Sequence, residues 1–139
     1  MSGKNRRKPT IVVSQTDYDR LTALAEGAPE HLADAAEELT AELERAKVKP
    51  DKRLPADVVR MGSTVEFRSN DGRERRVTLV YPGEADIAQG KISILTPIGA
   101  ALIGLAPGQS MSWTARDGKL HELSVLAVVN EEAAVSGAA

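Results

Sequence analysis

Glu26 and Glu30 flank a Gly-Ala-Pro step, with His31 next in the chain. Two carboxylates and an imidazole this close together could hold a divalent cation. Magnesium, however, demands near-octahedral oxygen coordination, and two carboxylates with no further ligand hold it poorly. Glu30 also has a simpler use, as negative charge at the start of a helix. The pair therefore reads as solvated tip residues. His121 is remote from His31, and no two histidines stand four apart, so a histidine metal site is not expected. The absence of cysteine excludes disulfides, thiolate zinc sites, iron–sulfur clusters and thiol catalysis. No Gly-x-Ser-x-Gly elbow, Walker motif or dinucleotide fingerprint is present. Gly99, Gly104 and Gly108 border or interrupt a short apolar stretch, at a spacing that suits helix packing and turns rather than a phosphate cradle. No catalytic residue, metal or cofactor is expected.

The remaining chemistry is basic. Lys4, Arg6, Arg7 and Lys8 form an arm able to touch phosphates, or simply a solubilising flexible tail. Arg73, Arg75 and Arg76 mark a strand start, too few beside Glu74 to signal nucleic-acid binding. The net charge of −2 argues against a bulk nucleic-acid binder, and any nucleic-acid contact is expected to be indirect. The charge is unevenly spread. Residues 1–13 carry four basic and no acidic groups, residues 14–52 five and ten, and residues 53–130 nine and eight. Aromatics are only 3%, which speaks against an aromatic-lined pocket or a base-stacking platform. Only Ile11-Val12-Val13 follows the basic start, so no signal peptide is read there, and no apolar stretch is long enough to span a bilayer. The expected compartment is the cytoplasm.

Helices must position the tip. Ser14-Gln15-Thr16-Asp17 is a helix start, with cap residues and first-turn acid. Tyr18, Leu21 and Ala25 follow at helical spacing, Gly27 suits the C′ position, and Pro29 stops the helix and opens the next. Leu32, Ala36, Leu39, Leu43 and Ala46 then make a heptad-like stripe opposite an acidic face of Asp34, Glu37, Glu38, Glu42 and Glu44. Neither helix is stable alone at this length, so an antiparallel pair with an arm of about 15–18 Å is expected. The proline- and charge-rich run Lys47–Pro55 marks a boundary.

Beyond it the period becomes two. Val65 and Phe67, then Val77, Leu79 and Tyr81, alternate around the turn signal Asn70-Asp71-Gly72, which predicts a β-hairpin. Lys91–Leu95 reads as a short strand after a polar loop. Thr96-Pro97 caps a short helix, Ile98–Leu105, apolar all round and so at least partly buried. A second hairpin joins Met111–Thr114 to Leu120–Val129 around Asp117-Gly118, with Leu123, Val125, Ala127 and Val129 on one face. Trp113 is expected to pack on the sheet. The fold class is α+β, an antiparallel sheet over one helix after a helical hairpin. The parts are a basic flexible arm (1–13), the hairpin (14–50), the body (51–130) and a flexible tail (131–139).

One resemblance is specific. Gly83-Glu84-Ala85-Asp86, Ile92-Ser93, Pro97-Ile98-Gly99-Ala100-Ala101-Leu102-Ile103-Gly104 and Pro107-Gly108-Gln109 resemble the C-terminal domain of bacterial Gre transcript-cleavage factors. The similarity covers residues 10 to 130. It is closer still to the regulator of nucleoside diphosphate kinase (Rnk) branch, through Leu54-Pro55-Ala56-Asp57-Val58-Val59-Arg60-Met61 and Leu79-Val80-Tyr81-Pro82 as well as the short hairpin.

The resemblance implies an FKBP-like body and a non-enzymatic monomer that binds core RNA polymerase at the secondary-channel rim, in competition with Gre factors. It assigns the contact to Leu95, Thr96 and Pro97, which stand where Gre factors have Asp-Ser-Pro, and to the adjoining Ile98. Gre factors carry two carboxylates at the tip of a long coiled coil to help hold a catalytic magnesium. Glu26 and Glu30 are the nearest equivalents, on an arm less than half the length required, so no cleavage stimulation is expected. The alternatives are a true cleavage factor using those tip carboxylates, and a peptidyl-prolyl isomerase or chaperone. Phe67, Tyr81 and Trp113 are too few aromatics for the latter's pocket.

Overall fold

A computed structural model describes residues 9–114 and 118–130, with the backbone alone at Trp113 and Thr114. The basic arm Lys4–Lys8, the turn residue Asp117, the packing of Trp113 and the tail 131–139 lie outside the described part.

The chain opens with strand β1 (Val12–Ser14) and helix α1 (Gln15–Glu26). The Ser14 hydroxyl caps α1, accepting from Asp17 N at 3.0 Å. A 3₁₀ turn (Glu30–Leu32) leads into α2 (Ala33–Arg45). Ala36, Leu39 and Leu43 of the expected stripe are buried, whereas Leu32 and Ala46 are half-buried. At 1.5 Å per residue, the twelve residues of α1 make an arm of about 18 Å.

The charged run after α2 is not a plain linker. Its first residues form β2 (Lys47–Lys49), which pairs parallel with β1. Ile11, at the end of the expected flexible arm, is fully buried. Arg45 donates to the Pro9 carbonyl, and Gln109 Nε2 to the Thr10 carbonyl. Residues 9–13 are therefore structured, because Ile11 and Val13 supply apolar surface that the core takes up.

The body is one five-stranded sheet in the order β5-β4-β3-β7-β6. Its strands are β3 (Thr64–Ser69), β4 (Glu74–Val80), β5 (Lys91–Ser93), β6 (Ser110–Thr114) and β7 (Leu120–Val129). The β3–β4 hairpin turns where expected, with Gly72 at φ +85° and the Asp71 carboxylate accepting from Arg73 N. Two details differ from the alternation reading. First, β5 runs parallel to β4, so the sheet is mixed. The connection, residues 81–90, is too long for a tight hairpin, and with 3₁₀ turns at Pro82–Glu84 and Ile87–Gln89 it carries the chain out and back beside β4. Second, the register of β3 against β7 shifts between Glu66 and Phe67, leaving Leu126 as an extra residue. Beyond this bulge the faces exchange. Val128 joins the core opposite Val65, while Val129 is 46% exposed.

Helix α3 (Pro97–Leu102) is buried at Gly99, Ala100, Ala101 and Leu102. Leu21, Leu39 and Leu43 of the hairpin, Ile11 and Val13 of the N-terminal strand, and Phe67, Leu102 and Ile103 of the body belong to one apolar cluster. No described helix is long and apolar enough to cross a membrane.

Candidate functional site

The junction between β5 and α3 is built by side-chain oxygens. Ser93 Oγ accepts from Leu95 N at 2.9 Å, and Thr96 Oγ1 donates to the Ser93 carbonyl at 2.7 Å. The same Thr96 oxygen accepts from Gly99 N at 3.1 Å, the expected N-cap. Gly99 is required because a Cβ there would lie 2.3 Å from the Ser93 carbonyl. The tight turn settles which side chains face outward. Pro97 is exposed, Thr96 and Ile98 are half-buried, and Leu95 is 3% exposed within the core. Leu95, assigned to the contact by the resemblance, thus offers no exposed side chain. Leu95 takes the inward direction because an apolar side chain beside Ile94 gains more from the core than from water.

The edge at β5 is closed to strand pairing. Asp86 N donates to the Lys91 carbonyl at 2.8 Å, and Lys91 N donates back to Asp86 at 2.9 Å. At the far end of β5, the Ser93 carbonyl is taken by Thr96. An edge occupied in this way offers side chains, not backbone, to a partner.

Glu26 and Glu30 are both exposed at the hairpin tip, on either side of the connection. No group of three or more His, Cys, Asp or Glu side chains able to hold a metal exists among the described residues.

A third place was not evident from the sequence. Where the start of α1 meets the body, a cavity of about 460 Å³ is lined by Asp17, Arg20, Asp51, Arg60, Tyr81 and Glu84 among others. Asp17 Oδ2 accepts from Met61 N at 3.1 Å, across 44 residues of sequence. Burial raises its pKa, opposed by that hydrogen bond and by Arg60. Asp51 accepts from both Thr16 N and Thr16 Oγ1, and these bonds lower its pKa. Burial and the Asp17 charge raise the Tyr81 pKa. Arg20 pulls it back without completing a hydrogen bond by distance and angle, and Tyr81 Oη and Arg60 Nε are buried without a partner. The cavity is thus a polar seam joining the hairpin to the body. Asp17 carried a sequence signal, but only as first-turn acid. Its partner Met61 is a backbone group that no residue pattern announces.

Comparison with known proteins follows this division. Residues 54–130 match the family model described as transcription elongation factor GreA/GreB, C-terminal, and residues 9–48 match the one described as Rnk N-terminus. The chain is 38% identical over 120 residues to the regulator of nucleoside diphosphate kinase of Escherichia coli K12, covering 86% of this chain and 88% of that protein. It is 31% identical over 134 residues to transcription elongation factor GreA of Bartonella tribocorum, covering 90% and 85%. A solved structure, the prokaryotic transcription elongation factor GreA/GreB from Nitrosomonas europaea, is 39% identical. It superposes with a TM-score of 0.67 over 88% of this chain and 99% of that one.

Proposed function

The chain belongs to the GreA/GreB transcription factor family, in its Rnk branch, and from that premise we propose that it is a non-enzymatic regulator that binds core RNA polymerase. The observation that carries this reading is the match of both segments, in order and nearly end to end, to a relative named as a regulator. In the proposed division of labour, residues 51–130 dock near the secondary channel and residues 14–50 project as a short acidic arm. Docking uses exposed Pro97 with half-buried Thr96 and Ile98, on the turn that Ser93 and Gly99 hold rigid. A rigid surface turn loses little entropy on binding. Leu95 contributes by fixing the turn from within.

The arm argues against cleavage. Its length of about 18 Å is short for carrying Glu26 and Glu30 into a buried active centre, so the tip stays at the channel entrance. There its negative charge repels acidic competitors such as the tip of a Gre factor. The protein acts as a monomer, in the cytoplasm with its partner.

The test is equilibrium binding of the full chain to core polymerase, with a Gre factor as competitor, alongside stalled elongation complexes. Displacement of the Gre factor without release of short 3′ RNA fragments is expected, and Pro97→Ala should weaken the displacement. Failure to bind sinks the reading, and fragment release would establish the cleavage-factor alternative instead.

A further inference from the structure

Ile87 is 86% exposed, while the next most exposed large hydrophobic among the described residues, Leu120, is 57%. Single exposed aliphatics are common and need no explanation by themselves. What sets Ile87 apart is how firmly it is held out. It begins a 3₁₀ turn that closes on itself, Gln89 N donating to Asp86 O and Gly90 N to Ile87 O, both at 3.0 Å. Gly90, at φ +74°, supplies the left-handed residue that ends the turn. The paired amides of Asp86 and Lys91 then tie the turn to β5, and Thr78 N ties Gly90 to β4 at 2.7 Å. The backbone that carries this apolar side chain is already ordered, so binding costs little further loop entropy.

Position points to the partner. β5 begins four residues after Ile87 and leads straight to Thr96 and Pro97. Five residue steps from Lys91 to Thr96 would span about 17 Å if fully extended, and the bend after Ser93 makes the true separation shorter. A standard interface takes about 800 Å² per partner, a patch about 30 Å across, so one interface can cover both ends of this edge. Asp86 and Thr96 already occupy outward backbone groups of the strand between them, so the contact is made by side chains.

We infer that Ile87 is a second apolar anchor of the polymerase-docking surface, at the opposite end of the β5 edge from Pro97. This rests on the proposed polymerase binding and adds a contact residue to it. The partner surface it fits is an apolar depression on core polymerase, deep enough to desolvate one aliphatic side chain.

The test compares Ile87→Asp, Ile87→Ala, Pro97→Ala and Leu120→Asp in the full chain, by affinity for core polymerase and by urea unfolding. Leu120→Asp places the same charge at another exposed aliphatic, on β7. Ile87→Asp is expected to weaken binding about tenfold to a hundredfold, and Ile87→Ala by less, as anchor residues do when truncated. Unfolding midpoints should stay put for both Ile87 variants, and Leu120→Asp should bind normally. If Pro97→Ala weakens binding while Ile87→Asp does not, the inference is wrong and the docking reading stands. If Ile87→Asp and Leu120→Asp weaken binding equally, the effect is charge alone and the anchor is refuted. If the unaltered chain does not bind, the docking reading falls and takes the anchor with it.

Discussion

Replacing Gly104 by alanine tests how the N-terminal strand is held against the body. Gly104 has φ +82°, and holding an L-residue in left-handed backbone costs about 1–2 kcal/mol. The second cost is steric. A Cβ at Gly104 would lie 2.7 Å from Ile11 Cβ and 3.1 Å from the Val12 carbonyl. Carbon atoms rest about 3.5–4.0 Å apart, so β1 must retreat by about 1 Å. That movement strains the bond from Val12 N to Gly104 O, 3.2 Å long, whose net worth is about 1 kcal/mol. It also begins to open Ile11, fully buried, whose burial is worth about 1.5–3 kcal/mol. Together these put Gly104→Ala at about 2–5 kcal/mol. Gly108 is the internal control. It has φ +89° and nothing within 4 Å of its added Cβ, so Gly108→Ala carries only the backbone cost of about 1–2 kcal/mol. Equilibrium unfolding in urea of both variants measures the difference directly, provided the slope is unchanged. If Gly104→Ala costs no more than Gly108→Ala, the close approach is not what holds β1, and the reasoning fails.

Other outcomes follow from the same contacts. Leu95→Asp restores the acidic residue that Gre factors carry, but it sets a carboxylate in a core position 3% exposed, so a loss of about 4 kcal/mol or more is expected in urea unfolding. Tighter polymerase binding by a fully stable Leu95→Asp protein would contradict the burial argument. Burial raises the Asp17 pKa above 3.8 in the folded chain, so the folded state binds its proton at a higher pH than the unfolded chain does. Stability should therefore gain a contribution as pH falls toward 3.8, and Asp17→Asn should remove it, read from urea midpoints across a pH series. Asp51 is separate. Its lowered pKa means its contribution is lost only as pH falls below 3.8. Hydrogen exchange should show amides of α2 around Leu39 and of β3 around Phe67 opening with similar free energies, because both residues lie in one core. Much easier exchange in α2 would mean that the hairpin opens alone.

Much of the architecture was legible because local chemistry and tertiary demand agreed. Ser14 and Thr96 cap the helices that their types announced, and Gly72 sits in the turn that Asn-Asp-Gly signals. Two of the differences come from contacts between residues far apart in sequence. The parallel pairing of Val12–Ser14 with Lys47–Lys49 needs no periodicity, only that both ends of the hairpin lie side by side. The bulge at Leu126 is set by the strand across from it, so strict alternation placed Ala127 and Val129 on the wrong face. Leu95 was assigned to the contact only by its place in the resemblance, whereas its own apolar side chain favours the core. Among candidate site residues, the exposure of Pro97, Glu26 and Glu30 was legible, and the anchoring position of Ile87 was not. Alternation marks residues that should be buried, but it does not mark the one that a closed turn holds out.

The joint between hairpin and body bears on what the arm can do. Twelve- and thirteen-residue helices are marginal by themselves, so the hairpin draws its stability from Leu21, Leu39 and Leu43 packed into the common core. The joint adds directional contacts: Met61 N on Asp17, Thr16 on Asp51, and Val12 N on the Gly104 carbonyl at 3.2 Å. Apolar packing resists separation but tolerates some sliding, whereas hydrogen bonds spaced around the joint resist rotation as well. An arm held in this way cannot search for a distant target by swinging about its base. Its reach beyond the body is less than its own length of about 18 Å, because Leu21, midway along α1, is packed into the common core. A short arm with a fixed base suits occupancy of a site next to the docking surface, and this is why the β5 edge, rather than the tip carboxylates, is where affinity should be sought.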